Sequence, residues 1–199
     1  MHHPAKRQNM HRRLTWPHRA KTPLWFTLAV IALVVTMLEP TFAQSATNPS
    51  GLPLPRFATT RSQPINVRVG PGTRYEVAWV YVKAGIPIEI IQEFDTWRKI
   101  RDFEGEEGWI HQNLLSGRRA GHVNVTGANG QIALRAKPEE QADVRAWLGE
   151  NYSVEIEQCD GTWCAVRVKS EPEDASSKTY AGFLPQTALW GVYAQETFK

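Results

Sequence analysis

An all-β fold, one small barrel built twice, is what this sequence predicts. Two observations predict it. The first is a recurrence. Val67-Arg68 with Pro71 and Val77 is followed by Ile88-Glu89-Ile90, Gln92, Thr96-Trp97 and Gly108-Trp109-Ile110. Later come Leu134-Arg135, Pro138, Val144, Val154-Glu155-Ile156, Gln158, Thr162-Trp163 and Gly182-Phe183-Leu184. The offset is 67 at Arg68/Arg135, 66 at Trp97/Trp163 and 74 at Trp109/Phe183, so length changes only between strands. Self-similarity at a near-constant offset fixes architecture before any local reading. The second observation is that each run consists of short alternating segments separated by turn residues, which reads as a small barrel or sandwich.

Residues 1–43 read as a signal peptide. Arg7, Arg12, Arg13, Arg19 and Lys21 precede Leu24–Leu38, fifteen residues without a charge, and Thr41-Phe42-Ala43 supplies small residues before Gln44. A basic region, a short apolar stretch and a small-residue end are the marks of a secretory leader. The other reading is an uncleaved membrane anchor through Leu24–Leu38, but a span wants about 20 apolar residues. The leader also explains the charge. The chain is +3 overall, yet after residue 43 it holds 17 Lys and Arg against 19 Asp and Glu. A nucleic-acid binder needs a basic surplus to neutralise phosphates, so that class is opposed, and no nucleic-acid partner is expected.

Residues 44–61 carry Pro49, Pro53 and Pro55 among Ser, Thr and Ala, and read as a flexible lead-in. The first barrel is expected over 62–117. Its strands are Ile65–Val69, Val77–Val82, Ile86–Gln92 with Ile88 and Ile90 inward, Trp97–Arg101 with Ile100 inward, and Gly108–His111; Gln112–Leu115 reads as one 3₁₀ turn. A linker over 118–130 follows, with His122–Val125 as a candidate extra strand. The second barrel is expected over 131–193, with strands Gln131–Arg135, Val144–Leu148, Ser153–Gln158, Trp163–Val168 and Tyr180–Leu184. Gly85 and Asn151 fall at the same tight turn, and both tolerate positive φ.

Cys159 and Cys164 flank Asp160-Gly161, a hairpin signal. In an exported chain the pair is expected as a disulfide across the hairpin base. Strict alternation from Ile156 would turn Cys159 outward, so a bulge is expected at the turn, with Gly161 as its source. A zinc site or a redox motif is the rival, but two thiols at this spacing lack two further zinc ligands and do not form Cys-x-x-Cys.

At these residues the sequence resembles the bacterial SH3 (SH3b) domain family, in tandem. The first copy offers Ile65-Asn66-Val67-Arg68 with Pro71, Gly85 with Ile88 and Ile90, Asp95-Thr96-Trp97 with Ile100, and Gly108-Trp109-Ile110. The second offers Ile132-Ala133-Leu134-Arg135 with Pro138, Val154 and Ile156, Gly161-Thr162-Trp163 with Val166, and Gly182-Phe183-Leu184. It departs at Ala133, where the pattern has Asn. The resemblance implies a five-stranded SH3-like barrel without catalysis of its own, which binds cell-wall peptides, glycans or proteins.

Six side chains are candidates for ligand contact. Arg68 and Arg135 hold equivalent places; either they meet a ligand carboxylate, or they lie over the barrel and support the fold. Trp97 and Trp163 open the fourth strand and serve either as ligand anchors or as lids on one barrel end. Trp109 belongs to the core or its rim, as does Phe183. Tyr75 lies in the first loop, and Ala142 replaces it in the second copy, which points to one working groove.

The function expected is an exported, periplasmic, non-catalytic binding module for peptidoglycan or an envelope protein. It needs no cofactor and no metal, and meets the membrane only through the leader. The alternative is a cell-envelope hydrolase, or an accessory subunit of one, with an unrecognised carboxylate site; Glu106-Glu107 and Glu139-Glu140 are adjacent acids of the kind a glycosidase pairs, but in polar loops they read as solvated.

Overall fold

The computed structural model describes residues 48–61, 63–125, 130–170 and 176–199, all within one compact unit, Ala46–Lys199. The expected leader, residues 1–43, and the start of the lead-in lie outside the described residues. No described helix is long and apolar enough to cross a membrane.

The described residues are all-β and form two antiparallel sheets, as SH3-like domains do. The first sheet holds β1 (Arg56–Thr60), β2 (Ile65–Arg68), β3 (Val77–Tyr81), β4 (Pro87–Phe94), β5 (Trp97–Arg101), β6 (Glu107–His111) and β7 (Leu115–Ser116). The second holds β8 (Arg119–Val123), β9 (Gln131–Arg135), β10 (Val144–Gly149), β11 (Ser153–Asp160), β12 (Trp163–Lys169), β13 (Thr179–Pro185), β14 (Leu189–Trp190) and β15 (Thr197–Phe198). Their orders are β3-β2-β6-β5-β4-β1-β7 and β10-β9-β13-β12-β11-β8-β14, with β15 added on β11. Seven added to each strand number of the first order gives the second.

Each sheet is larger than the five strands expected. The end of the segment read as a flexible lead-in is β1, paired with β4 and β7, and the start of the segment read as a linker is β8, paired with β11 and β14. Burial supplies the reason: Ala58, Thr59 and Thr60 are buried, as are Ala120 to Val123. Small residues and Thr let these strands lie flat on β4 and β11, but they carry no alternating large apolar pattern for sequence reasoning to catch. The extra strand expected at His122–Val125 therefore begins three residues earlier and ends at Val123.

Most of the recurring apolar positions form the two cores, while Val77 and Val144 are exposed. Ile65, Val67, Ile88, Ile90, Ile100, Ile110 and Leu115 fill one; Leu134, Val154, Ile156, Val166, Leu184 and Leu189 are central to the other. A 3₁₀ turn follows the last long strand in each sheet, at Gln112–Leu114 and Gln186–Ala188. Gly85 and Asn151 take φ of 83° and 60° at their shared turn. Gly108 and Gly182 recur for steric reasons. A Cβ on Gly108 would sit 2.4 Å from Val67, and one on Gly182 2.6 Å from the Arg135 carbonyl oxygen. Only glycine lets β6 and β13 cross so close over β2 and β9.

Cys159 and Cys164 pair in register across β11 and β12 and are joined, with both side chains buried. The bulge that turns Cys159 inward lies between Ile156 and Gln158, inside the strand, and not at Gly161 as expected. The first sheet has its register shift at the matching place, between Ile90 and Gln92. The bulge is thus a shared property of the repeat, and Gly161, at φ 98°, serves only the turn.

An aromatic seam joins the sheets. The Phe57 ring of β1 lies 5.1 Å from Trp190 and 4.7 Å from Tyr193, and Phe103 lies 4.7 Å from His122. The Tyr193 hydroxyl donates to Glu89 at 2.8 Å. Burial first, then this carboxylate neighbour, pushes the phenol well above its ordinary range, so it remains a donor.

Candidate functional site

The loop between β2 and β3 carries the first group of candidates. Val69 N–H donates to Glu76 and Tyr75 N–H to Gly72, which closes the loop on itself. The Arg68 guanidinium donates to the Tyr75 carbonyl at 2.6 Å. Arg135 does the same to Ala142 at 2.9 Å in the second sheet. The two arginines act as loop clamps: each guanidinium reaches a carbonyl seven residues further along the chain, across the loop. Of their two sequence-level roles, support of the fold is the one these contacts express.

Tyr75 itself is half-buried, with its ring against Gly70; a Cβ there would meet the ring at 2.5 Å. The Arg74 guanidinium lies 5.2 Å over the ring and donates to its hydroxyl at 3.4 Å. An aromatic face with a cation beside it can stack on a ligand and take an anionic group at its edge.

The remaining candidates divide between two faces. Trp109 is only 9 % exposed. It sits opposite Arg68 on β2 and Lys99 on β5, so its neighbours cover it and it is no ligand anchor. Lys99 is held by Glu107 at 2.6 Å, and Glu107 also takes Arg101 at 2.8 Å. Hydrogen bonds from Lys99 and Arg101 hold the Glu107 carboxyl below its ordinary value. Trp97 is half-buried and packs edge-on against His111, 5.5 Å away.

The second sheet differs at this row. Phe183 stands between Arg135 and Ala165, where the first sheet has Trp109 between Arg68 and Lys99. The short Ala165 leaves room that Lys99 fills. A pocket of about 250 Å³ opens beside the disulfide, lined by Trp163, Phe183, Phe198, Gln158, Asp160 and Ala165 among others. Backbone N–H groups of Trp163 and Thr162 bind Asp160, each at 2.8 Å, and hold its carboxyl below the usual range. The structure thus brings Arg68 to Trp109 and to the Tyr75 backbone, and places Trp163 at a true concavity. Sequence reasoning missed Phe198, which no recurrence marks. Among the described residues no three His, Cys, Asp or Glu side chains gather as a metal site would need.

No curated protein matches the chain. Solved structures are similar over part of it, among them two NlpC proteins. NlpC1 from Trichomonas vaginalis shares 13 % identity with a TM-score of 0.28, over 69 % of this chain and 46 % of that one. NlpC2 from the same organism shares 13 % with a TM-score of 0.27, over 67 % and 46 %. The chain therefore spans under half the length of either. The family comparison is local and falls on the first sheet, with its Tyr75 loop and its Trp97 strand: residues 61–117 match the bacterial SH3 domain family.

Proposed function

We propose that this chain is an exported, non-catalytic binding module of the bacterial cell envelope, with peptidoglycan as its ligand and an envelope protein as the alternative partner. The observation that carries the reading is the family match over residues 61–117. It is supported by the Tyr75 loop, where an aromatic ring backed by Gly70 is flanked by Arg74. In this reading Tyr75 and Trp97 contact the ligand, Arg68 holds the loop in shape, and the segment read as 131–193 is a second SH3-like domain that has lost the tyrosine. Trp163 and Phe183 give that second domain a separate aromatic pocket.

Retention of the full chain on purified sacculi, and separately on immobilised envelope extract, tests the proposal. Tyr75→Ala and Trp97→Ala should each weaken retention while the fold is kept. No retention on either material overturns it. Glu107 gives the hydrolase reading no support. A glycosidase acid needs a carboxyl whose pKa is raised, and Glu107 is pushed the other way by Lys99 and Arg101.

A further inference from the structure

A cleft of about 1350 Å³ lies between the two sheets. It is lined from β1 and the turn before β4 on one side, from the segment leading into β8 beneath, and from β11 and β12 on the other. Its charge is lopsided. Among the described residues six of 17 Lys and Arg line it, against two of 16 acids. The six are Arg61, Lys83, Arg118, Arg119, Arg167 and Lys169. Arg119 is paired with Glu196 and Arg167 with Glu157. Arg61, Lys83, Arg118 and Lys169 have no acidic partner among the described residues, and all four side chains are exposed. The chain beyond residue 43 is slightly acidic, so this concentration of charge is not a matter of composition. Like charges around a low-dielectric concavity focus a positive potential and draw in an anion.

We propose that this cleft binds a peptide segment bearing free carboxylates. The size argues for an extended ligand, since it exceeds the roughly 300–1,000 Å³ of a small-molecule pocket. The lining argues for a peptide. Its two acids, Glu150 and Glu155, would repel a polymer charged at every unit, but they accept from the amide or ammonium donors that a peptide also carries. Asn151, Ser153 and Thr179 add neutral polar contacts. Tyr152 is the one aromatic in the lining, and its hydroxyl is bound to the Lys169 carbonyl. A nucleic acid strand would find no series of aromatic platforms for its bases. Guanidinium groups from Arg61 and Arg118 suit carboxylates, which they can take two bonds at a time. The site requires both sheets, and neither sheet alone presents it. The inference does not rest on the Tyr75 loop or on the envelope reading.

The test uses the full chain and a fluorescent octapeptide of alternating Glu and Ser, read by anisotropy. The peptide should bind, and added salt should weaken it. Arg61→Ala with Arg118→Ala should weaken it by up to about thirtyfold, which is what two exposed ionic contacts at the upper end of their range amount to. Lys83→Ala with Lys169→Ala, on other elements, should act in the same direction. The proposal is overturned if a Gln-Ser octapeptide binds equally well, or if neither double variant changes affinity. It is also overturned if inorganic polyphosphate binds and the Glu-Ser peptide does not. Retention on sacculi is a separate readout, so either reading can fail without the other.

Discussion

Glu93 and Arg98 face each other across β4 and β5 in the register that Cys159 and Cys164 occupy across β11 and β12. One sheet closes its hairpin with a buried ion pair, the other with a covalent bond. The first arrangement is a network. Glu93 accepts from Arg56 at 2.6 Å and from the Ser50 hydroxyl at 2.7 Å, and lies 3.2 Å from Arg98. Burial alone would raise its pKa; the Ser50 and Arg56 contacts outweigh that and hold it down. In the second sheet the glutamate is gone. Arg119, which stands where Arg56 does in the first, is met instead by Glu196 from the C-terminal segment, at 2.7 Å. The same fold thus tolerates either solution, provided that the arginine left at the strand edge is given a carboxylate.

Breaking the ion pair should have the largest effect. Glu93 is fully buried and Arg98 is 5 % exposed at the side chain. Glu93→Ala leaves Arg98 buried without its acid, which costs about 3 kcal/mol. Chemical denaturation followed by tryptophan fluorescence measures it; a loss well under half that size would mean that the Asp95 and Trp97 carbonyls and Gln112 already satisfy Arg98. The disulfide comes next. Replacing both Cys159 and Cys164 by Ser should cost about 2 kcal/mol, because the loop it closes is short. If the double variant is as stable as the parent, the bridge is not a counterpart of the ion pair.

The seam between the sheets is a smaller term. Phe57→Ala removes the ring that meets both Trp190 and Tyr193, and Phe57 is half-buried, so roughly 1.5 kcal/mol is expected. The loss should come with faster proteolysis between the sheets, at residues 117–119. Unchanged stability and an unchanged cleavage pattern would mean that the sheets are held by other contacts.

Much of this was legible in the sequence. Most of the apolar pairs that recur, among them Val67/Leu134, Ile88/Val154, Ile90/Ile156, Ile100/Val166 and Leu115/Leu189, are buried, because a core position tolerates only another apolar side chain of similar size, whereas the recurring Val77 and Val144 are exposed. Gly85 and Asn151 were legible because positive φ admits few residues. Strand β1 was not, and β8 was legible only at its end, His122 and Val123. Their small residues and Thr imitate a linker, and only the pairing in space distinguishes them. Nor was the replacement of Glu93 and Arg98 by two cysteines visible as such, since the eye reads a disulfide as an addition. The roles of Arg68 and Arg135 were open in the sequence. What they hold is a backbone carbonyl, which has no sequence signature. The cations of the cleft are scattered singly along the chain, so no local pattern gathers them.

His122 tests the comparison most gently. It pairs with Ser153 across β8 and β11, as Thr59 pairs with Pro87 across β1 and β4. Thr59 donates to the Arg118 carbonyl at 2.7 Å and does not titrate near neutrality. His122 is 8 % exposed, lies against Phe103, and has Ser153 Oγ 3.3 Å from Nδ1. Burial lowers its pKa below 6.5, and the Asn151 backbone and the Asp102 charge offset this only in part. Below pH 6.5 the unfolded chain therefore takes up a proton that the folded chain resists. The contribution of neutral His122 is complete above pH 6.5, declines as pH falls towards the lower folded value, and levels off beneath it. Glu93 and Glu196, held below their ordinary 4.5, lose theirs only in a more acidic window. Denaturation midpoints should thus fall between pH 7 and pH 5 in the parent. In His122→Thr, which restores the residue of the first sheet, that slope should flatten whatever the variant's absolute stability. Equal slopes in the two proteins would place the pH sensitivity outside the seam, and the sheets would then differ in chemistry at this position without differing in behaviour.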